Sequence, residues 1–178
     1  MTALTNTARE LLVLRHGKSD WPSGMEDFDR PLKRRGNRAA ARIGQWLVDN
    51  DLIPDFVISS PANRAIATTR RVCETMNLDP AGIQENRDIY QAELETLLKA
   101  VRDLPGSAQR AMIVGHNPGL EELLAALSKT DVNPYDESGR MSPCAIAVLR
   151  LSAPWAETAP RTATLLHLIR PSELPLES

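Results

Sequence analysis

Two arginines and two histidines stand in this chain where apolar runs give way to polar loops. Arg15 and His16 follow Leu11-Leu12-Val13-Leu14, while His116 and Asn117 follow Ala111-Met112-Ile113-Val114-Gly115. Arg64 comes shortly after a third such run, Asp55-Phe56-Val57-Ile58-Ser59. A guanidinium is a permanent planar cation whose forked N–H groups suit a tetrahedral oxyanion such as phosphate. An imidazole can act as nucleophile or proton carrier near neutral pH. The set suits a phosphoryl site with a nucleophile beside it.

Short, β-branched or leucine-rich runs cut off by polar residues read as buried strands of a parallel sheet. In open α/β sheets, ligands collect at the carboxyl ends of such strands. Ser60-Pro61 and Asn117-Pro118 both look like helix starts, a capping side chain followed by proline at the first helical position. Helix N-termini favour anions, so two of the three strand ends carry a second reason to bind one.

The rest of the chain supplies the frame. Residues 18–32 form a long connection, the length at which loops are often functional. Apolar spacing predicts helices over 33–50, from Ser60 through Met76, over Leu94–Leu104, and after Asn117 through Leu127. A weaker strand falls within Ile83–Tyr90, with two or three paired residues. Residues 129–142 are polar and turn-rich and read as a mobile loop. Ala145–Leu151 and Ala163–Ile169 are two strands whose link is too short for a crossover helix, so they pair antiparallel. Residues from Pro171 read as a tail. The pattern predicts a three-layer α/β/α sandwich with a mostly parallel sheet and an antiparallel C-terminal strand pair. It is read as one domain over 1–178, with its core at about 10–170.

Composition narrows the function classes. The chain has 178 residues, 42% of them hydrophobic and 25% charged, with a net charge of -2. That leaves no overall basic character to suggest nucleic acid or an anionic membrane. No run approaches the roughly 18 apolar residues of a membrane span. Met1 to Glu10 lacks the apolar core of a signal peptide. Cys73 and Cys144 are isolated and show no metal spacing, so a reducing, cytoplasmic setting is expected.

Three segments carry a resemblance. Leu14-Arg15-His16-Gly17, then Ser59-Ser60-Pro61-Ala62-Asn63-Arg64-Ala65 with Thr68-Thr69, then Val114-Gly115-His116-Asn117-Pro118 resemble the signature segments of the histidine phosphatase superfamily, which includes phosphoglycerate mutases. Asp27-Phe28-Asp29-Arg30-Pro31-Leu32 with Arg35-Gly36, and Ile89-Tyr90-Gln91-Ala92 with Leu97-Leu98, resemble its small SixA-type phosphohistidine phosphatase branch.

The resemblance implies that His16 attacks phosphorus and forms a phosphohistidine that water then cleaves. It implies that Arg15, Arg64 and His116 clamp the phosphoryl oxygens, and that a backbone carbonyl near Gly17 holds the His16 tautomer. Asn117 would support His116 or the phosphate rim. Neighbouring arginines disfavour the imidazolium and keep His16 nucleophilic. No metal or other cofactor is needed, because fixed cations take its place.

Two positions depart from the mutase pattern. Mutase-like relatives carry Glu or Gln after R-H-G, and an asparagine after a tryptophan. Here Lys18 and Pro22 stand there, leaving Ser19 as the nearer polar contact. Expelling an alkoxide requires an acid, for which Glu93 is the candidate; a protonated imidazole leaves as a neutral molecule and relaxes that demand. The chain lacks a large insertion after the second strand, so its crevice is uncapped.

The partner is therefore a phosphorylated protein, with phosphohistidine favoured, or a small phosphorylated compound. A mutase or metabolite phosphatase, and a phosphate-binding module without turnover, remain the alternatives. His167 reads as structural, Trp46 as core, and Arg34 and Arg35 as surface charges. Asp20, Asp29 and Arg30 occupy the first loop and Arg140 and Ser142 the second, either at the rim or in local ion pairs and caps.

Overall fold

A computed structural model describes residues 8–176. Leu11, Leu12, Val13 and Leu14 are all fully buried, because their strand, β1 (Arg9–Arg15), runs through the middle of a six-stranded sheet. The other strands of the sheet are β2 (Phe56–Ser59), β3 (Gln84–Glu85), β4 (Arg110–Gly115), β5 (Ile146–Leu151) and β6 (Thr164–Ile169). The order is β3-β2-β4-β1-β5-β6. β3, β2, β4 and β1 are mutually parallel, whereas β5 runs antiparallel to both β1 and β6.

Side chains of a strand alternate between faces, and the core divides accordingly. Leu11 and Val13 pack with Ile113, Leu123 and Leu149 on the face covered by α3 (Leu94–Arg102) and α4 (Gly119–Leu127). Leu12 and Leu14 pack with Met112, Val114 and Val148 on the face covered by α1 (Arg34–Asp49) and α2 (Asn63–Thr75). Each fully buried leucine contributes about 1.5–3 kcal/mol relative to exposure. A one-residue slip of β1 would exchange both faces at once.

The neighbours β1 and β4 therefore send their following helices to opposite faces of the sheet. That is a topological switch point, where the strand ends open into a crevice.

The α/β/α class and the antiparallel final pair agree with the expectation from sequence, and β3 is as short as anticipated. Several local expectations are corrected. The helix after β2 begins at Asn63 behind Ala62, and no side chain caps it; Ser60 instead points into the site described below. Likewise α4 begins at Gly119 behind Pro118, with Asn117 bonded elsewhere.

The 129–142 stretch is anchored at its end rather than loose. Met141 is fully buried, and Arg170 donates to the carbonyls of Arg140 (3.0 Å) and Glu137 (2.7 Å). Residues from Pro171 do not trail free either: Arg42 donates to the carbonyls of Pro171 (2.8 Å), Leu174 (2.7 Å) and Pro175 (3.1 Å). Cys73 and Cys144 are buried and unbridged. The expectation for the N-terminus rests largely on Met1–Thr7, which lie outside the described residues. Among the described residues no helix is long and apolar enough to cross a membrane.

Candidate active site

His16 is the first residue beyond β1. Its backbone N–H donates to Gly115 (3.1 Å) and its carbonyl accepts from Cys144 (3.0 Å), so strand neighbours on both sides hold it. Its ring Nδ1 lies 2.8 Å from the Gly17 carbonyl. A carbonyl only accepts, so Nδ1 carries the proton and Nε2 keeps its lone pair. Burial, reinforced by Arg15, Arg64 and Arg30 and opposed by the Gly17 bond, lowers the imidazole to about 4. The ring is neutral at pH 7 and nucleophilic at Nε2.

Gly17 is itself held. Its N–H donates to Thr68 Oγ1 (2.9 Å), and the Thr68 hydroxyl donates to the Arg64 carbonyl (2.7 Å). The start of α1 lies against the same loop: Lys33 N–H donates to the Lys18 carbonyl at 2.8 Å. This approach requires glycine at position 36, since a Cβ there would sit 2.5 Å from the Lys18 carbonyl oxygen.

His116 leaves β4 as His16 leaves β1, and the two ring centroids are 5.1 Å apart. Arg64 Nη2 donates to His116 Nδ1 at 3.4 Å, so in this arrangement Nε2 carries the proton and donates to Ser60 Oγ at 2.8 Å. Burial, with His16 and Arg64 nearby, lowers this imidazole to about 3.

Arg64 extends from the first turn of α2 and is braced by Asp27, from the short helical turn inside the first loop. Nη1 donates to the Asp27 carbonyl (2.6 Å) and Nη2 to its carboxylate (3.0 Å). The same carboxylate accepts from Arg30 (3.0 Å), the Tyr90 hydroxyl (2.6 Å) and Gln91 (3.3 Å). Desolvation works to raise the Asp27 carboxyl, but the bonds from Tyr90, Arg30 and Arg64 outweigh it and hold it well below the usual carboxylate range. Arg30 continues the chain of contacts, donating to Ser19 Oγ (2.6 Å) and stacking on Trp21 with 3.2 Å from Cζ to the ring centroid.

Arg15 is fixed from the other side. It and Asn117 both donate to the Met141 carbonyl, at 3.0 and 2.9 Å. Glu121 accepts from Asn117 (2.8 Å) and from the Met141 N–H (2.9 Å).

These groups enclose a cleft of about 420 Å³. Arg15, His16, Gly17, Ser19, Arg64, His116 and Asn117 all line it, so seven of the residues singled out from sequence come together. Glu93 does not. It is exposed at the N-cap of α3, outside the cleft wall, because α3 turns its apolar side, Leu94 included, to the core and its N-cap to solvent. Such a wall can bind a phosphoryl group through N–H donors while presenting one unprotonated imidazole nitrogen to phosphorus. Among the described residues no three His, Cys, Asp or Glu side chains cluster to share a metal ion.

Asp27, Ser60, Thr68 and Tyr90 escaped the sequence reading as site residues. Asp27 and Tyr90 lie inside segments that carried only the family likeness, and Ser60 looked like a helix cap. Nothing in the local pattern marks Asp27 as the point where four side chains meet.

A family model for the histidine phosphatase superfamily (branch 1) matches residues 11–99. An uncharacterized protein of Mycobacterium tuberculosis is 34% identical over 158 residues, covering 86% of this chain and 96% of its own. A Nakamurella multipartitia protein assigned as phosphohistidine phosphatase SixA superposes with a TM-score of 0.76 at 28% identity, covering 92% of this chain and 96% of that one. Its Agrobacterium tumefaciens counterpart gives 0.75 at 27% identity, covering 91% and 97%. The family model takes in His16, the Asp27 turn and Arg64. The chain belongs to the histidine phosphatase superfamily, branch 1.

Proposed function

We propose that this protein hydrolyses phosphohistidine in other proteins, using His16 as the nucleophile. The observation that carries the reading is the Gly17 carbonyl on His16 Nδ1, which leaves Nε2 unprotonated beside Arg15, Arg64 and His116. In the first step Nε2 attacks phosphorus, the N–P bond to the substrate imidazole breaks, and that imidazole departs with its proton as a neutral ring. The Arg15 and Arg64 guanidinium groups stabilise charge on the transferring oxygens, and His116, bonded to Arg64 and Ser60, holds Arg64 in place beside them. In the second step water attacks the His16 phosphoramidate, releasing phosphate and restoring the neutral ring.

Among the described residues the cleft lining includes no free carboxylic acid, which supports this substrate class. Glu93 stands outside, and Asp27 is ionised and occupied by two guanidinium groups. An alkoxide leaving group would need a strong donor, whereas a protonated imidazole does not. The open cleft also admits a side chain projecting from a folded protein.

The test compares a protein labelled with phosphate on histidine, p-nitrophenyl phosphate and small alkyl phosphates as substrates. Fast release from phosphohistidine, slow release from alkyl phosphates and loss of both in His16→Ala are expected. Comparable rates on alkyl phosphates, or turnover surviving in His16→Ala, would overturn the proposal.

A further inference from the structure

The stretch from Lys33 to Arg42 carries five cations, Lys33, Arg34, Arg35, Arg38 and Arg42, and no carboxylate, in a chain whose net charge is -2. It forms the first half of α1, whose macrodipole already places positive potential at that end. Clustering cations there costs stability unless an anion shares the surface. Among the described residues Arg35 and Arg38 have no ion-pair partner, and both are exposed. Lys33 reaches only the exposed Asp20, at 3.9 Å.

Four of these cations, Lys33, Arg35, Arg38 and Arg42, line a path that begins in the cleft. Lys18 and Pro143 border both the 420 Å³ cleft and an adjoining furrow of about 270 Å³ that Arg35 also lines. Arg35 in turn borders a second furrow, of about 640 Å³, together with Arg38 and Arg42. Positions 35, 38 and 42 fall on one helix face, and positions 35 and 42 are about 10 Å apart along the helix axis. Arg42 is committed to the carbonyls of Pro171, Leu174 and Pro175, so it closes the far end as a fixed wall. Both furrows are floored by the small Ala39 or walled by Pro171 and Ser172, which leaves room for a chain to lie between helix and C-terminal turn.

We infer that this furrow seats an acidic segment of the phosphorylated partner protein, adjacent to the residue whose phosphate enters the cleft. The inference rests on the proposed reading of the cleft as a site for protein-borne phosphate. A track continuing beyond the phosphoryl site, with positive side chains spaced along one helix face, matches a polypeptide bearing several carboxylates. It would discriminate among phosphoproteins by charge beside the phosphorylated position.

The test separates recognition from turnover. His16→Ala protein is titrated with two fluorescent peptides that carry a stable phosphonate mimic of phosphohistidine, one flanked by four glutamates and one by four glutamines. At low salt the glutamate peptide is expected to bind at least tenfold more tightly, with the advantage shrinking as salt screens it. An Arg35→Glu/Arg38→Glu double variant in the same background is expected to lose that advantage. Equal binding of both peptides, or a preference that survives the double variant, would overturn the inference. In the His16-containing protein the double variant should keep its turnover of p-nitrophenyl phosphate within twofold, which also shows that it folds. Failure to hydrolyse phosphohistidine would instead sink the proposed reaction while leaving the peptide comparison interpretable.

Discussion

Asp27 accepts two hydrogen bonds from Arg64, one through its backbone carbonyl at 2.6 Å and one through its carboxylate at 3.0 Å. Arg64 is buried, Asp27 does not itself line the cleft, and the same carboxylate also holds Arg30. The guanidinium is thus aimed before any phosphate arrives, which lowers the reorganisation needed on binding.

Asp27→Asn keeps the shape of the side chain but removes its charge. Two guanidinium groups then face one another without the anion between them, so phosphate should bind without its preset geometry. A fall in kcat/KM of at least tenfold is expected on any substrate, with a stability loss of roughly 1–3 kcal/mol for the lost charged hydrogen bonds. Steady-state kinetics and urea unfolding check the two parts separately.

Thr68→Val tests the link between the loop after His16 and α2. The buried hydroxyl accepts from Gly17 and donates to the Arg64 carbonyl, and valine leaves the Gly17 N–H without a partner. Roughly 1–3 kcal/mol of stability should be lost. Because Gly17 orients His16, kcat should fall more than KM rises. Thr68→Ser should recover most of the turnover.

The pH profile should reflect two depressed imidazoles. His16 titrates at about 4 and His116 at about 3, against an unfolded value of about 6.5. The acid limb of kcat/KM, which reports the free enzyme, should therefore fall well below pH 6. Between pH 6.5 and about 4 the unfolded chain takes up protons that the folded chain refuses. Stability should then decline on acidification, by up to roughly 1.4 kcal/mol per pH unit per group. The Asp27 carboxylate adds in the same direction lower down, its stabilisation present above its unfolded value and lost as pH drops through its depressed folded one. Urea midpoints at pH 7, 5.5 and 4.5 check the slope, which His16→Gln should make shallower.

Glu93→Gln should leave turnover of phosphohistidine unchanged within twofold, since the side chain is exposed and outside the cleft. A large loss would return Glu93 to the role of proton donor and require α3 to move on substrate binding.

Gly36→Ala should be costly although it adds a single methyl group. The new Cβ would lie 2.5 Å from the Lys18 carbonyl oxygen, forcing α1 away from the loop that follows His16. A stability loss of about 1–3 kcal/mol is expected for such overpacking, with weaker phosphate binding read by isothermal titration.

Legibility from sequence followed the range of the physical cause. Strands β1 and β4 announce themselves because burial on both faces leaves an unbroken apolar run, and the polar residues that end those runs mark the cleft. Helix starts were less readable: Ser60-Pro61 and Asn117-Pro118 have capping chemistry, yet Ser60 bonds His116 and Asn117 bonds Glu121 and Met141. Both side chains are drawn to the site and neither caps its helix, although Ser60 Oγ also accepts from the Ala62 N–H at 3.3 Å. Asp27 was harder still, since its partners Arg64, Tyr90 and Gln91 are dozens of positions away and only folding brings them together. The anchoring of 129–142 by Arg170 was invisible for the same reason.

Arg15 and Gly115 are register partners on adjacent parallel strands, and the next residue of each is an imidazole. The separation of the two rings is thus inherited from the interstrand ladder rather than from any loop. Warming that frays surface turns should leave the two imidazoles in place, and inactivation should coincide with collapse of the central sheet. Residual activity after heating would then report the fraction of molecules whose β1–β4 pairing survived.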